Sequence, residues 1–225
     1  MKLLKKISLV ISFLSLAACQ TAPVLDGQDN GTKLKARQSS IFSEKQQAVK
    51  DLPAWNMSGP FSYADQYSVA TGSINWKGDI QPNPDKKDDT ILAQRIDLQG
   101  PFNAGSATLF IDSELGAALA VGSTRAYGKD AKSLLFEETG WSIPVEELRY
   151  WVYGLPFPDK KSRYWLDEKG NLALLSQSQW QIRFSEYQQL ESSNGVIKKY
   201  PKKVFAENRG RGLKVRLVIK KLELQ

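Results

Sequence analysis

The segment Asp130–Gly154, which reads DAKSLLFEETGWSIPVEELRYWVYG, stands in the middle of the chain and decides the fold class. Asp130 is a good N-cap residue and Gly140 is a common helix stop, so the pattern predicts one short helix between them. Pro144 suits the start of a second helix, which we expect to end before Gly154. Two helices are therefore predicted between the two halves of the sequence.

On both sides of this segment the apolar residues recur with a period of two, which is typical of β-strands. Glycine, proline, asparagine and serine lie between the runs, as expected of hairpin turns. The alternating runs upstream are Trp55–Phe61, Ile74–Trp76, Ile91–Leu98, Ala107–Ile111 and Leu115–Val121, and those downstream are Tyr164–Asp167, Leu172–Ser176, Gln179–Tyr187, Val196–Glu207 and Leu213–Leu222.

Strands, then two helices, then strands, without regular alternation of strand and helix, indicate an α+β fold that is mainly β. We expect a single curved antiparallel sheet that forms an open, incomplete β-barrel, with helices covering it. No repeat or linker divides residues 54–225, and one folded domain is predicted over residues 40–225. A further helix is expected from Ile41 to about Leu52, between a Ser40 cap and Pro53.

The first 18 residues have the features of a secretory signal peptide. Met1–Lys6 is basic, Ile7–Leu16 is mostly apolar and too short to span a bilayer, and two alanines precede Cys19. The sequence Leu-Ala-Ala-Cys resembles the lipobox of bacterial lipoproteins, which implies that Cys19 is acylated and becomes the new N-terminus. The alternative is an ordinary secretion signal with a chance cysteine near the cleavage point.

The residues after Cys19 predict a flexible tether over residues 19–39, because they are polar and show no periodicity. Gln20 follows the cysteine, whereas enteric lipoproteins that are retained in the inner membrane have an aspartate at that position. This resemblance implies export to the outer membrane. Two or three acyl chains give stable anchorage, since each buried methylene contributes ~0.8 kcal/mol.

The composition excludes several kinds of catalytic site. Histidine is absent and the chain has a single cysteine, so a histidine general base, a cysteine nucleophile and a His/Cys metal site lack their residues. The acidic pairs Glu137-Glu138 and Glu146-Glu147 are expected on solvated helix faces. With 28 basic and 24 acidic residues, the mature chain carries only +4 and no nucleic-acid motif. We expect no enzyme, metal or cofactor.

The aromatic content is the positive feature: 6 tryptophans, 8 tyrosines and 9 phenylalanines. In a half-open barrel, side chains that point inward either pack the interior or line a space for an apolar ligand. The sequence pattern alone leaves these two alternatives open.

The segment Gly140–Pro156 resembles the G-x-x-[IL]-P-[VL]-x-x-L-x-x-W-[IV]-x-G-[LVY]-P signature of the LolB family of outer-membrane lipoprotein receptors. Three further segments are similar to family motifs in the same order: Gly59-Pro60-Phe61, Ile74-Asn75-Trp76 and Gln177–Phe184. With the lipobox, the resemblance spans nearly the whole mature chain.

The resemblance implies that the protein accepts acylated client lipoproteins from a periplasmic LolA-like carrier and inserts them into outer-membrane phospholipid, as a monomer and without a cofactor. It also implies an apolar cavity for the acyl chains beneath a helical lid. The expected cavity and lid residues are Trp55, Phe61, Ile74, Trp76, Ile91, Ile96, Leu134, Leu135, Trp141, Leu148, Trp151 and Val152.

A family loop whose exposed leucine serves membrane insertion resembles the stretch Gln99–Gly105, which places Pro101, Phe102 and Asn103 at its tip. The exposed Phe102 is expected to enter a bilayer or contact a partner; the alternative is that it folds back over the barrel end. Family members often have a tryptophan near the C-terminus, where this chain has Leu222.

Two other functions stay open from the residues alone. One is a non-catalytic interaction lipoprotein of envelope assembly that binds no acyl ligand and whose aromatic residues are plain core. The other is an envelope hydrolase that uses a pair of carboxylates, although the sequence nominates no such pair.

Overall fold

The structure is a computed structural model that describes Phe42 and residues 55–82, 90–100, 105–112, 114–158, 160–191 and 197–224. Two α-helices lie in these ranges, α1 (Ala131–Thr139) and α2 (Val145–Trp151). The strands are β1 (Trp55–Ala64), β2 (Val69–Pro82), β3 (Thr90–Gln99), β4 (Ser106–Asp112), β5 (Gly116–Val121), β6 (Thr124–Gly128), β7 (Ser162–Leu166), β8 (Leu172–Gln177), β9 (Trp180–Glu191), β10 (Ile197–Asn208), β11 (Leu213–Val218) and β12 (Lys221–Leu224).

All of these strands belong to one antiparallel sheet that is not closed into a barrel. Its order is β6-β5-β4-β3-β2-β1-β11-β10-β9-β8-β7, and β12 pairs with β1. The two edge strands, β6 and β7, are neighbours in the chain and are joined through α1 and α2. Helix α1 packs against β4, β5 and β6. The expected mainly β fold, an open sheet with helices covering it, is confirmed.

The helix ends follow the local signals in the sequence. The Asp130 carboxylate accepts a hydrogen bond from the Ser133 backbone N–H at 2.8 Å, and Gly140 ends α1 with φ of 75°. Helix α2 begins one residue after Pro144, and Gly154 has φ of 68°. Such left-handed conformations favour glycine because it lacks a Cβ. Both helix predictions are confirmed to within a residue or two at their ends.

Strand β1 pairs with β12 over residues 55–58 and with β11 over residues 61–64, and Gly59 lies between these two stretches. Trp55, Met57, Phe61 and Tyr63 are buried at alternating positions, and Gly59 occupies the position between Met57 and Phe61 in this alternation. At Gly59 an added Cβ would lie 1.9 Å from the Val218 carbonyl oxygen. Only glycine permits this close backbone approach.

The sequence pattern misplaced three features. Strand β6 was not predicted. The predicted strand Leu213–Leu222 is two strands, because the Lys220 N–H bonds to the Ser58 oxygen at 2.9 Å where the chain passes from β11 to β12. The acidic residues Glu146 and Glu147 are half-buried rather than on a solvated face.

The helix predicted from Ile41 to Leu52 lies outside the described residues except for Phe42, which is helical and buried. No described helix is long and apolar enough to cross a membrane.

Candidate functional site

A small cavity lies between the sheet and the helices. Its volume is about 40 Å³, and its wall is formed by twelve apolar residues: Phe61, Ile74, Trp76, Ile96, Leu98, Leu109, Leu135, Ile143, Val145, Leu148, Val215 and Leu217.

The sheet side of the wall is built by strand register. Trp76 pairs with Ile96, and Ile96 pairs in turn with Leu109, so one row of inward side chains crosses β2, β3 and β4. On the other flank, Phe61 of β1 pairs with Leu217 of β11. The alternation of the strands places these side chains on the inner face of the sheet.

The helix side of the wall consists of Leu135 from α1, Leu148 and Val145 from α2, and Ile143 from the loop between the helices. We call residues 131–151, which comprise α1, α2 and this loop, the lid. The lid residues on this wall are apolar and offer no hydrogen bond to water. The wall therefore favours hydrocarbon over water.

The lid loop is held on β1 by Tyr63 and Trp141. Their rings stack with centroids 5.4 Å apart, and the Ser142 N–H donates to the Tyr63 hydroxyl at 3.4 Å. The Tyr63 hydroxyl donates to the Asp65 carboxylate at 2.8 Å. Burial, helped by this carboxylate, raises the pKa of Tyr63 to about 12. Tyr63 is therefore a neutral donor at physiological pH.

The polar group of the wall residue Trp76 has a hydrogen-bond partner. The Trp76 indole N–H donates to the buried Gln94 side-chain oxygen at 3.0 Å. Glu146 follows the wall residue Val145 on α2, and burial raises the pKa of its carboxyl. The wall itself offers no nucleophile or metal ligand among its twelve residues.

Six of the residues expected from the sequence lie on the wall: Phe61, Ile74, Trp76, Ile96, Leu135 and Leu148. Leu134, Trp141 and Trp151 belong to the lid but not to this wall, and Trp141 is half-buried on Tyr63; Trp55 and Val152 are buried outside the wall. Ile91 lies on β3, but its side chain is outside the described residues, as are Cys19, Pro101, Phe102 and Asn103.

Sequence reasoning missed six wall residues. Leu98 and Leu109 belong to predicted strands and could have been found by extending the alternation. Val215 and Leu217 depend on the pairing of β11 with β1, which brings together residues far apart in the chain. Ile143 and Val145 lie at the loop between the helices and the start of α2, where neither period applies.

The sequence matches the family model described as "Outer membrane lipoprotein LolB" over residues 53–221. The chain is 30% identical to the outer-membrane lipoprotein LolB of Nitrosococcus oceani over 219 residues, which cover 94% of this chain and 93% of that protein. It is also 30% identical to the outer-membrane lipoprotein LolB of Pseudomonas aeruginosa over 154 residues, covering 66% of this chain and 67% of that protein.

Among solved structures, a DUF1329 family protein from Desulfovibrio piger is similar with a TM-score of 0.49 and 10% identity, covering 86% of this chain and 94% of that chain.

Proposed function

The chain belongs to the LolB family of outer-membrane lipoproteins, and on this basis we propose that it accepts acylated lipoproteins from a periplasmic LolA-like carrier and inserts them into the inner leaflet of the outer membrane. The observation that carries the proposal is the entirely apolar cavity between the sheet and the lid. Such a wall suits the acyl chains of a client lipoprotein.

The cavity volume of about 40 Å³ is small beside the roughly 300–1,000 Å³ of sites that enclose a ligand. Acyl chains therefore enter when the lid moves away from the sheet. The lid is suited to this motion because it joins the two edge strands β6 and β7, and no strand pairing closes the sheet between them. Leu135, Ile143, Val145 and Leu148 would then contact the acyl chains in place of the sheet.

The transfer must proceed without exposing the acyl chains to water. Each methylene exposed costs ~0.8 kcal/mol, so bringing several chains into water costs on the order of tens of kcal/mol. A carrier docked at the open side of the sheet would provide a continuous apolar path. No cofactor or ATP is required if the receptor binds the chains more tightly than the carrier and less tightly than the bilayer.

The proposal includes the anchor. Acylated Cys19 would hold the protein in the outer membrane, facing the periplasm, with residues 19–39 as the tether and residues 40–225 as the lipid-binding domain. Phe102 would contact the phospholipid during insertion, and the protein would act as a monomer.

The experiment is a transfer assay with the mature chain carrying Cys19→Ala, so that it stays in solution. A LolA-like carrier loaded with a triacylated lipoprotein is mixed with the protein, and each partner is captured to find which one holds the cargo. We expect the cargo to move to this protein. Leu98→Gln, which places an amide on the cavity wall, should reduce the transfer severalfold.

Leu190→Gln is the matched control, because Leu190 is also half-buried against the core but does not line the cavity. It should transfer cargo like the wild type. Cargo that stays on a competent carrier contradicts the proposal and favours an interaction lipoprotein without an acyl ligand.

A further inference from the structure

Arg149 of α2 is a half-buried cation without a counter-ion. Its Nε atom is enclosed and has no hydrogen-bond partner, and among the described residues no carboxylate forms an ion pair with it. Its neighbours are aromatic: the guanidinium carbon lies 5.6 Å from the centre of the Tyr150 ring, and Tyr153 is close enough to interact electrostatically. Burial lowers the pKa of the guanidinium. Native structures rarely leave a buried cation without a counter-ion or a hydrogen-bond acceptor.

Two further donors, on Tyr153 and on its neighbour Trp55, also lack partners. The Tyr153 side chain is only 1% exposed, and its hydroxyl has no hydrogen-bond partner. The indole N–H of Trp55, which is 2% exposed, has none either. The rings of Trp55 and Tyr153 meet edge to face with centroids 5.8 Å apart. The indole nitrogen lies against Gly78, where a Cβ would approach it to 2.3 Å.

The guanidinium and the indole N–H can only donate, and the Tyr153 hydroxyl can donate as well as accept, so this cluster of three groups offers donors without partners. Each buried donor without a partner costs about 1–3 kcal/mol. The missing partner is therefore a group rich in acceptor oxygens that can enter an apolar surrounding. Ester and amide carbonyls meet both conditions because they accept hydrogen bonds, carry no charge and are attached to acyl chains.

The cluster lies one side chain away from the cavity. Trp55 contacts Trp76 with ring centroids 5.2 Å apart, and Trp76 forms part of the cavity wall. A ligand whose hydrocarbon fills the enlarged cavity can thus place its polar end at the cluster. Arg149 and the wall residue Leu148 are consecutive on α2, so movement of the lid changes both together.

We propose that Trp55, Arg149 and Tyr153 form a polar subsite that binds the carbonyl oxygens of acyl ester and amide groups while the acyl chains occupy the cavity. The inference rests on the proposed function and deepens it. The cavity wall recognises hydrocarbon of any kind, whereas this subsite recognises the linkage between the chains and the glyceryl cysteine. It fixes how far a client lipoprotein enters the protein.

The test compares two lipids that differ only in the carbonyl groups. A diacylglycerol and the dialkyl glycerol ether with chains of equal length are titrated against the mature chain carrying Cys19→Ala, by displacement of a fluorescent alkyl probe. We expect the ester to bind about tenfold more tightly than the ether, which corresponds to roughly 1.4 kcal/mol.

Tyr153→Phe and Arg149→Met should each lower this ester-to-ether ratio severalfold and leave the affinity for the ether unchanged. Tyr150→Phe is the matched control, since it removes from α2 a tyrosine hydroxyl that is not among the buried groups without a partner. It should keep the full ratio.

Stability separates this role from a structural one. Because the Tyr153 hydroxyl lacks a partner in the ligand-free protein, Tyr153→Phe should unfold at the same or a higher urea concentration than the wild type. Equal affinity of the wild type for ester and ether overturns the subsite and leaves the proposed function standing. Failure of both lipids to bind overturns the proposed function and the subsite together.

Discussion

Gln177 at the end of β8 shows how a single side chain fixes the segment that follows the lid. Its side-chain oxygen accepts from the Phe157 N–H at 2.9 Å and from the Trp151 indole N–H at 3.4 Å. Its side-chain nitrogen donates to the carbonyl oxygens of Phe157 at 2.8 Å and Lys160 at 3.0 Å. The full hydrogen-bonding capacity of the amide is used. The end of α2 is thereby tied to the sheet.

We expect Gln177→Leu to lower the free energy of unfolding by about 3 kcal/mol, because it leaves buried donors and acceptors without partners. Urea denaturation of the mature chain with Cys19→Ala measures the change. Gln189→Leu, at an exposed position of β9, serves as the control and should change the stability by less than about 0.5 kcal/mol. Equal stability of the two variants would show that the amide network contributes nothing.

Tyr63 gives the fold a dependence on alkaline pH. Its pKa is raised to about 12 from 10, so the folded state holds the phenolic proton more tightly than the unfolded state. The resulting stability is fully present below pH 10 and is lost as the pH rises towards 12.

Tyr63→Phe should therefore be less stable than the wild type at pH 8, by about 1 kcal/mol for the lost hydrogen bond to Asp65. The difference in unfolding free energy between the wild type and Tyr63→Phe should narrow between pH 10 and pH 11.5. In this range the Tyr63 phenol of the wild type ionises more readily in the unfolded state than in the folded state, whereas the variant has no phenol at this position. Urea denaturation at a series of pH values measures both quantities. A gap that widens with pH would contradict the assignment.

The role of these residues was only partly visible in the sequence. Gln177 was noted as part of a Q-x-x-W motif, but its bonding partners lie 17 to 26 positions away and depend on the fold. Trp151 was expected among the cavity and lid residues from the family resemblance; it lies in the lid, and its ring packs against Trp180 with centroids 6.0 Å apart. Local patterns identify a buried side chain, but its contacts are set by the tertiary structure.

At the scale of elements, two glycines permit close backbone approaches within the sheet. A Cβ at Gly59 would lie 1.9 Å from the Val218 carbonyl oxygen, and one at Gly72 would lie 2.0 Å from the Gln99 carbonyl oxygen. Both contacts are with backbone atoms, which cannot relieve a clash by a change of rotamer as a flexible side chain can. The neighbouring backbones can approach this closely only because these positions lack side chains.

Gly59→Ala should lower the free energy of unfolding by more than about 2 kcal/mol, since the backbone of β1 or β11 must shift to admit the methyl group. Gly210→Ala is a suitable control because a Cβ there would meet its nearest neighbour only at 3.8 Å. Thermal unfolding of both variants provides the comparison. A Gly59→Ala protein as stable as Gly210→Ala would show that the sheet does not require this glycine.

The elements differ in how well the sequence predicts them. Helices α1 and α2 were found because their caps, Asp130 and Gly154 among them, are local signals. Strand β6 was missed because its residues alternate only weakly: Arg125 and Tyr127 are exposed, and Ala126 alone points inward among the three. The division of β11 from β12 depends on a bond to Ser58, 162 positions away. Such long-range pairing leaves no local trace.

Movement of the lid is testable through its aromatic contacts. If acyl ligands displace the lid, Trp141 leaves the Tyr63 ring, and its surroundings change. With 5-fluorotryptophan in place of all six tryptophans, the fluorine NMR signals of Trp141 and Trp76 should shift when a diacylglycerol is added. The signal of Trp165, at 36% exposure on edge strand β7, should stay in place. An unmoved Trp141 signal in the saturated complex would exclude opening of the lid loop.

At the scale of the whole molecule, the positive charge is concentrated in the C-terminal strands. Residues 180–224 contain 11 basic and 4 acidic residues, a net charge of +7, whereas the mature chain as a whole carries only +4. On the outer face, Arg183, Phe205 and Arg216 lie in one row across β9, β10 and β11. The two guanidinium groups lie 4.4 Å and 4.9 Å from the centre of the Phe205 ring.

This outer face is expected to attract an anionic membrane surface. Among the described residues neither Arg183 nor Arg216 forms an ion pair, and both are exposed. Basic residues near an anionic bilayer contribute about 1 kcal/mol each, and the attraction falls off within a Debye length. A receptor that delivers lipoproteins to a bilayer gains from such attraction, because it keeps the folded domain near the surface to which Cys19 would anchor it.

We therefore expect the mature chain with Cys19→Ala to sediment with vesicles that contain phosphatidylglycerol and to be released by added salt. The double variant Arg183→Gln/Arg216→Gln should bind roughly thirtyfold more weakly, in line with two lost contributions of about 1 kcal/mol. The matched control is Arg125→Gln/Arg163→Gln, which removes the same charge from exposed positions on the edge strands β6 and β7. If both double variants weaken binding equally, net charge and not the outer face of β9–β11 governs the attraction; if only the first does, this face is the one that meets the membrane.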